Sequence, residues 1–408
     1  MLTCRHCGTA LHRVFVDLGH QPPSNAYLPE DRLGAPEVTY PLKAYVCEEC
    51  WLVQLPAHAA ADALFTADYA YFSSVSKSWV AHAERYVAAM VERFGLTPKS
   101  FVIEVASNDG YLLQFVAGRG IPCLGLEPTA STAAAARKKG IETEEVFLGE
   151  ATGQAIAAAR GKAALVTANN VLAHVPDIND FVRGIAALLA PEGVATFEFP
   201  HLLRLVEGLQ FDTIYHEHYS YLSLHTVRRV LDTAGLRAFD AEELPTHGGS
   251  LRLFACHEGA RHETAPGLMD LAAAEAAAGI TQAPFYSGLQ AEAERIKDEL
   301  LLFLINEKRA GRTVAGYGAA AKGNTLLNFA GVRADLLPFV CDAAPSKQGR
   351  YLPGSHIPVR PPSALAEARP DTVLILPWNI ANEIVETMPD VRSWGGRFAV
   401  AVPGLAML

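Results

Sequence analysis

The chain has 408 residues, half of them hydrophobic and 19% charged, with a formal net charge of −10 at pH 7. That length exceeds one ordinary core and predicts two or three domains, and the composition excludes a disordered or fibrous chain. The acidic balance argues against a nucleic-acid partner, and no window holds the roughly 20 uninterrupted apolar residues of a membrane helix. The N-terminal text MLTCRHCG has no apolar signal segment, so a cytoplasmic address is expected.

Residues 1–72 are rich in Pro, Tyr, His and Cys, and predict short strands and loops rather than an independent core. Four of the seven cysteines form two close pairs, Cys4-x2-Cys7 and Cys47-x2-Cys50, separated by 39 residues. Two such knuckles close a tetrahedral thiolate cage, because each two-residue loop turns both sulfurs toward one ion. Four thiolates leave no open position for water, so the expected ion is a structural zinc. His6, inside the first knuckle, is expected at the surface.

Residues 73–262 alternate between short apolar runs and Ala-rich helical text. Runs at 101–105, 122–126, 164–168 and 193–199 predict buried strands of a parallel sheet, and runs near 236–241 and 251–256 predict an antiparallel pair around THGGS. In EVASNDGYLL, Glu104 ends a strand, and Ala106, Ser107, Asn108, Asp109 and Gly110 form a turn before a helix. This is a cradle suited to S-adenosylmethionine: small residues admit the backbone close to its amino-acid part, and the helix N-terminus accepts its carboxylate. Glu127 ends the next strand, where a carboxylate can accept from both ribose hydroxyls. A nicotinamide cofactor is the competing reading. Ala106 and Asn108, however, stand where a dinucleotide fold prefers glycine, and Asn108-Asp109 suits a zwitterionic amino acid better than a pyrophosphate. Asn170, in TANNVLAHVPD, ends the fourth strand on the cofactor side, and His174 is either a site residue or a satisfied structural histidine.

Residues 263–311 predict a helical bridge. A second β-turn-α pattern then fills 312–408, with TVAGYGAAAKGNTLLNFA followed by strands at 337–341, 372–376 and 397–402. The fold class is therefore α/β: a Rossmann-like methyltransferase domain flanked by a small zinc-binding domain and a second, C-terminal Rossmann-like domain. GYGAAAKGN opens a helix whose amides suit an anion. Lys322, Tyr317 and Asn324 are candidates for a nucleotide diphosphate, the alternative being a unit that merely packs. Arg252, Lys347 and Arg350 either add charge there or lie on the surface. Trp378 and Asn379 are placed to face the cleft.

The segments CRHCG, LGHQPPSNAYL, DYAYFSSVSKSW, EVASNDGYLL, ANNVLAHVPD, YHEHYSYLS, THGGSLR, GYGAAAKGNTLLN and SKQGRYLPGSHIPV occur in this order over nearly the whole chain. Together they resemble the nucleotide-sugar C-methyltransferases of deoxysugar biosynthesis. The resemblance implies a zinc- and S-adenosylmethionine-containing enzyme acting on a nucleotide-diphosphate sugar, dTDP-linked by family habit, at carbon 3 of a 4-keto-6-deoxy ring. A carbon next to a ketone becomes nucleophilic only if a base removes its proton while the enolate is stabilised. YHEHYSY, residues 215–221, concentrates suitable groups. His218 is the expected base, Glu217 orients it or binds the sugar, and Tyr215 lies on the same face if the segment is helical. The resemblance points to these three together, and adds His174 and Tyr69 near the sugar. The bland readings are an interface patch or a second metal site on His216 and His218, without any HExxH spacing. A zinc-ribbon RNA methyltransferase, an O- or N-methyltransferase and a non-enzymatic sensor are the rival functions. The oligomeric state stays open, with a monomer expected.

Overall fold

The computed structural model describes residues 2–58 and 72–408, among which three sheets organise the chain. The first joins β1 (Arg13–Gln21), β2 (Tyr40–Val46) and β3 (Val53–Gln54) as an antiparallel meander. The second contains β4 (Val102–Val105), β5 (Cys123–Leu126), β6 (Thr143–Glu144), β7 (Ala163–Asn169) and β8 (Leu189–Pro200), all parallel. A far strand, β9 (Ser220–Tyr221), leaves this unit and pairs with β3, so the first sheet runs β1-β2-β3-β9. Nothing in the two residues of β9 announces that partnership. The sequence places them in the middle unit, and only docking of the two units brings them to the edge of β3.

The two strands expected around THGGS are β10 (Leu236–Leu244) and β11 (Ser250–His257), antiparallel to each other and, through β11, to β8. The seven-stranded order is β10-β11-β8-β7-β4-β5-β6. The chain reverses its winding direction at β4, which opens a crevice beyond the carboxyl ends of β4 and β7. In β4 both faces are buried, so Val102, Ile103 and Val105 are apolar, and Glu104 is the one polar residue of the strand. The helix Lys77–Phe94 packs there with a Ser76 cap that accepts from the Trp79 N–H and a left-handed Gly95 stop.

The helical text at 263–311 forms the helices Pro266–Ala278 and Leu289–Arg309. The second buries Leu289, Ala293, Ile296, Leu300 and Leu304, a three-and-four spacing that defines one apolar stripe. The third sheet follows, with β12 (Val314–Tyr317), β13 (Val340–Cys341), β14 (Val359–Arg360), β15 (Thr372–Ile375), β16 (Arg397–Val400) and β17 (Ala406–Met407). Its order is β14-β13-β12-β15-β16-β17, parallel except at β17. Winding reverses again at β12, and its crevice faces that of β4.

Two helices on the central sheet, Glu150–Arg160 and Ile178–Leu188, approach through glycines. A Cβ on Gly184 would lie 2.6 Å from the Gly149 carbonyl oxygen, and one on Gly153 would lie 2.6 Å from that of Gly184. Backbone atoms cannot give way as a side chain can, so Gly184→Leu is expected to cost about 1–3 kcal/mol, read as a lowered denaturation midpoint. Gly34→Ala, where a Cβ meets nothing within 4 Å, should leave the midpoint unchanged.

Candidate active site

The facing crevices enclose a cavity of about 660 Å³, lined from the central sheet, from Asn25 in the N-terminal segment, and from Lys322 and Lys347 in the C-terminal unit. On the β4 side the turn is conformationally demanding. Ala106 and Asn108 adopt positive φ angles of 52° and 49°, and Asn170 beyond β7 adopts 55°. Each such residue costs of order 1–3 kcal/mol and persists where its surroundings over-determine it. Ala106 and Asn108 stand where a dinucleotide fold prefers glycine, yet the backbone takes the glycine-like conformation there anyway.

Glu127 fixes this turn. Its carboxylate accepts from the Asn108 N–H at 2.8 Å and the Thr129 N–H at 2.9 Å, while remaining in the cavity wall. Carboxylate oxygens accept more than one bond, so two hydroxyls can still be received. Asn170 also lines the wall, and its Oδ1 is buried without a partner among the described residues. A cradle with a spare acceptor carboxylate and an orphaned amide oxygen fits S-adenosylmethionine. Ala106, Asn108, Glu127 and Asn170 would hold it.

Other residues of the expected cradle sit behind the wall. Asp109 is buried and takes bonds from Ser74 and, at 3.0 Å, from Lys139, while the Asn108 side chain accepts from the Ser73 N–H at 2.9 Å. Both side chains thus pin residues 73–74 against the turn. Glu104 lies buried under the turn, its carboxyl held well above the usual range by burial and by Glu127. Ser107 fills the space over Gly125, where a Cβ would lie 2.3 Å from its hydroxyl oxygen, and Gly110 supplies a positive φ of 76°.

The YHEHYSY segment is not helical. It is a turn in which the His218 N–H donates to the Tyr215 carbonyl at 2.9 Å, and this brings the Tyr215 and His218 rings to 3.9 Å between centroids. The expected juxtaposition therefore forms by a different backbone route. The His174 ring lies 4.6 Å from that of His218, and its Nδ1 is 2.8 Å from the Glu217 carbonyl oxygen. His218 Nδ1 lies 3.0 Å from the Thr213 carbonyl oxygen. A carbonyl only accepts, so Nδ1 carries the hydrogen in the neutral ring and Nε2 carries the lone pair. Burial, reinforced by His174, holds His218 well below its usual value. Burial likewise lowers His174 to about 4 and raises the Glu217 carboxyl. Asn25 donates to Glu217 Oε1 at 3.1 Å, and Oε2 has no partner among the described residues. Tyr69 lies outside the described residues. His216 turns the other way, against the Tyr40 ring at 5.8 Å, so it shares no metal site with His218.

On the C-terminal side, Lys322 reaches the cavity wall, donates to Asn379 Oδ1 at 2.7 Å and lies 4.7 Å above the Trp378 ring. Burial lowers its pKa, and the nearby Asp212 opposes that shift. Asp212 accepts from Trp378 Nε1 at 2.8 Å, and burial pushes its carboxyl up to about 6. Three further expected substrate residues lie elsewhere. Asn324 is buried and donates to the Ser24 carbonyl at 2.6 Å, so it ties the C-terminal unit to the N-terminal segment. Tyr317 is half-buried at the end of β12 and is not in the wall. Arg252 is buried between Glu198 at 3.1 Å and Glu242 at 3.3 Å, over the Tyr86 ring; its charge is spent inside the central unit.

His247 was not anticipated. It lines the cavity with φ 56°, its Nε2 lies 3.4 Å from Asn170 Nδ2, and burial lowers it to about 4. The Gly248-Gly249 pair beside it, both at positive φ, was the available signal of a contorted, functional turn. Asn25 was equally missed, because no local pattern marks a proline-flanked asparagine as a partner for a residue 192 positions away.

The four knuckle cysteines gather with their sulfurs within 4.8 Å of one another. Cys4 and Cys50 are 3.4 Å apart, and Cys7 and Cys47 are 3.5 Å apart. Zinc–sulfur bonds of about 2.3 Å in a tetrahedron need sulfurs roughly 3.8 Å apart. The donor set and spacing fit a closed zinc site. Gln54 donates to Cys4 Sγ at 3.2 Å, and His6 is half-buried, bonded to Asn179 Oδ1 at 2.8 Å rather than exposed.

Among the described residues, no helix is long and apolar enough to cross a membrane. Family models match residues 4–65 ("Putative zinc binding domain"), 79–240 ("Methyltransferase domain") and 245–403 ("C-methyltransferase C-terminal domain"). The chain is 36% identical over 400 residues to C-methyltransferase NovU of Streptomyces niveus, covering 98% of this chain and 95% of that protein. Among solved structures, the magnesium protoporphyrin IX methyltransferase of Synechocystis PCC 6803 with bound SAM is 16% identical at a TM-score of 0.34. That match covers 44% of this chain and 79% of the other. An S-adenosylmethionine-dependent methyltransferase of Clostridium acetobutylicum ATCC 824 is 11% identical at a TM-score of 0.36, over 44% and 92%.

Two outcomes are expected. Cys47→Ala should lower bound zinc from about one ion per chain to near none, measured by metal analysis after gel filtration. His247 is lowered from 6.5 to about 4 in the fold, so the unfolded chain binds more protons between those values and stability falls as pH drops through that window. His247→Asn, whose side chain tolerates the left-handed backbone, should lose less stability than the native protein from pH 6.5 to 4, read from denaturation midpoints.

Proposed function

The chain belongs to the S-adenosylmethionine-dependent C-methyltransferases, and on that premise we propose that it methylates carbon 3 of a nucleotide-linked 4-keto-6-deoxy sugar through an enolate. The observation that carries this reading is the state of His218. A buried, neutral imidazole with Nδ1–H committed to the Thr213 carbonyl has its Nε2 lone pair available in the same cavity as Glu127 and Asn170. Its depressed pKa keeps it unprotonated at neutral and mildly acidic pH, as a base must be.

His218 Nε2 removes the proton from the carbon beside the ketone. Tyr215, with its ring 3.9 Å from that of His218, donates toward the oxygen on which charge develops. Glu217, held by Asn25 and raised by burial, uses Oε2 to receive a sugar hydroxyl. His174, with its ring centre 4.6 Å from that of His218, lines the same cavity beside the sugar. When bound, S-adenosylmethionine supplies a methyl group activated on a sulfonium. Lys322, Lys347 and the first amides of the helix Ala321–Ala330 take the diphosphate of a dTDP-type carrier. The chain divides as 1–72 for zinc, 73–262 for the cofactor, 263–311 as bridge and 312–408 for the nucleotide, in a cytoplasmic enzyme.

Incubation with S-adenosylmethionine and nucleotide-linked 4-keto-6-deoxy sugars in deuterated water tests this directly. The expected product gains one methyl group at carbon, with exchange of the neighbouring proton. A methyl on oxygen or nitrogen with that proton retained would sink the reading. His218→Ala should lower turnover by about 10²- to 10⁴-fold while S-adenosylmethionine binds as before.

A further inference from the structure

Arg5 stands between Cys4 and Cys7, in the first zinc knuckle, but its side chain leaves the cage. Nη1 donates at 2.7 Å to the carbonyl of Pro176, in the loop that carries His174. Nη2 donates to the carbonyl of Leu55, whose own N–H donates at 3.0 Å to the carbonyl of Tyr219, the residue after His218. The guanidinium carbon lies 5.2 Å from the centre of the Tyr219 ring. The arginine backbone is fixed at its other end. Its N–H donates at 2.9 Å to Gln54 Oε1, and Gln54 also bonds Cys4 Sγ and pairs in register with Ser220.

We propose that Arg5 is a positioning residue, a strut that sets the His174 loop against the His218 loop from the rigid base of the metal cage. The proposal rests on the reading of His218 as the base. The planar fork of a guanidinium presents donors at fixed angles, so two carbonyls from separate loops are held at a fixed spacing, which a flexible ammonium does not impose. Both bonds are to backbone: one fixes the His174 loop at Pro176, and the other fixes Leu55, whose N–H holds the Tyr219 carbonyl of the His218 loop. The spacing that matters is the 4.6 Å between the two imidazoles. Displacing a reacting group by about 1 Å can cost about 100-fold in rate.

Arg5→Met keeps the stem and removes every side-chain donor; Arg5→Lys keeps a cation near Tyr219 and a single donor nitrogen in place of the fork. Both are to be made in the full-length zinc-loaded protein. The readouts are zinc content, S-adenosylmethionine affinity by calorimetry, kcat and KM with a 4-keto-6-deoxy nucleotide sugar, and exchange of the substrate proton into deuterated water. Arg5→Met is expected to keep its zinc and its cofactor affinity. Its kcat and exchange rate should fall together by about 10- to 100-fold, the range of groups that orient first-contact residues, with KM changed by less than about threefold. Arg5→Lys should lie between Met and native. Native kcat in Arg5→Met would overturn the proposal, as would turnover losses in both variants that simply track zinc loss. If Arg5→Met does not fold, a zinc-replete Arg5→Lys enzyme with native kcat overturns it equally. His218→Ala is run alongside: unchanged proton exchange there removes the base assignment and the strut with it, an outcome that the Arg5 variants cannot mimic.

Discussion

Four ionisable side chains are withdrawn from bulk water around one cavity, Glu217 and His218 buried, His174 and His247 half-buried. Burial is the largest influence on each, pulling the three imidazoles toward the neutral form and the carboxyl toward its protonated form. Leaving buried polar groups unpaired is expensive, so each of the four has a fixed partner: a backbone carbonyl for the two facing imidazoles, and the Asn25 and Asn170 side chains for Glu217 and His247. Thr213 and Glu217 carbonyls orient the two imidazoles of the pair. Backbone partners do not titrate, and they hold a ring in one tautomer whatever the pH.

Such a site cannot be built by one sheet. The wall needs the central sheet beneath, Asn25 from the N-terminal segment at one side, and Lys322 and Lys347 from the third sheet above. The units are correspondingly stitched together. Cys47, Cys50 and Leu52 of the zinc-binding part belong to the same apolar cluster as Val171, Leu222 and Leu224 of the central one. Helix Leu224–Asp232 is reached from the second knuckle through the Thr226 bond to the Cys50 carbonyl and the Arg229 bond to the Glu49 carbonyl. At its start, Glu275 from the bridge accepts the Leu224 and His225 N–H groups and holds His201 at 2.7 Å. A carboxylate at a helix N-terminus satisfies donors that have no partner within the helix.

Half of the non-glycine residues at positive φ among the described residues stand around the cavity where the cofactor is expected. Ala106, Asn108, Asn170 and His247 all carry positive φ, although none is glycine. Their neighbours hold them there: Glu127 grips the Asn108 N–H, and the Asn170 N–H donates to the Glu198 carbonyl at 2.6 Å. Glu198 in turn is clamped by His82 and Arg252. The charge of Arg252, which the sequence offered as a substrate contact, thus serves to stiffen the strand end beneath the cavity.

Much of this was determined by the sequence alone. The cysteine pairs, the runs of β4, β5, β7 and β8, the antiparallel hairpin, the helical bridge and the second β-turn-α unit were readable because covalent spacing and period decide them locally. So were Glu127 and the pairing of Tyr215 with His218, although the latter forms through a turn rather than a helix. Tertiary structure alone decided which polar residues face the cavity and which are consumed holding it together. Asp109, Arg252 and Asn324 turned inward to Lys139, Glu198 and Ser24, while Asn25 and His247 turned toward the cavity. The physical reason is that a polar side chain is committed by whichever charge or carbonyl packing delivers within about 3 Å. Across separations of up to 300 residues, as between Asn324 and Ser24, that is set by how the sheets dock and not by the neighbouring text.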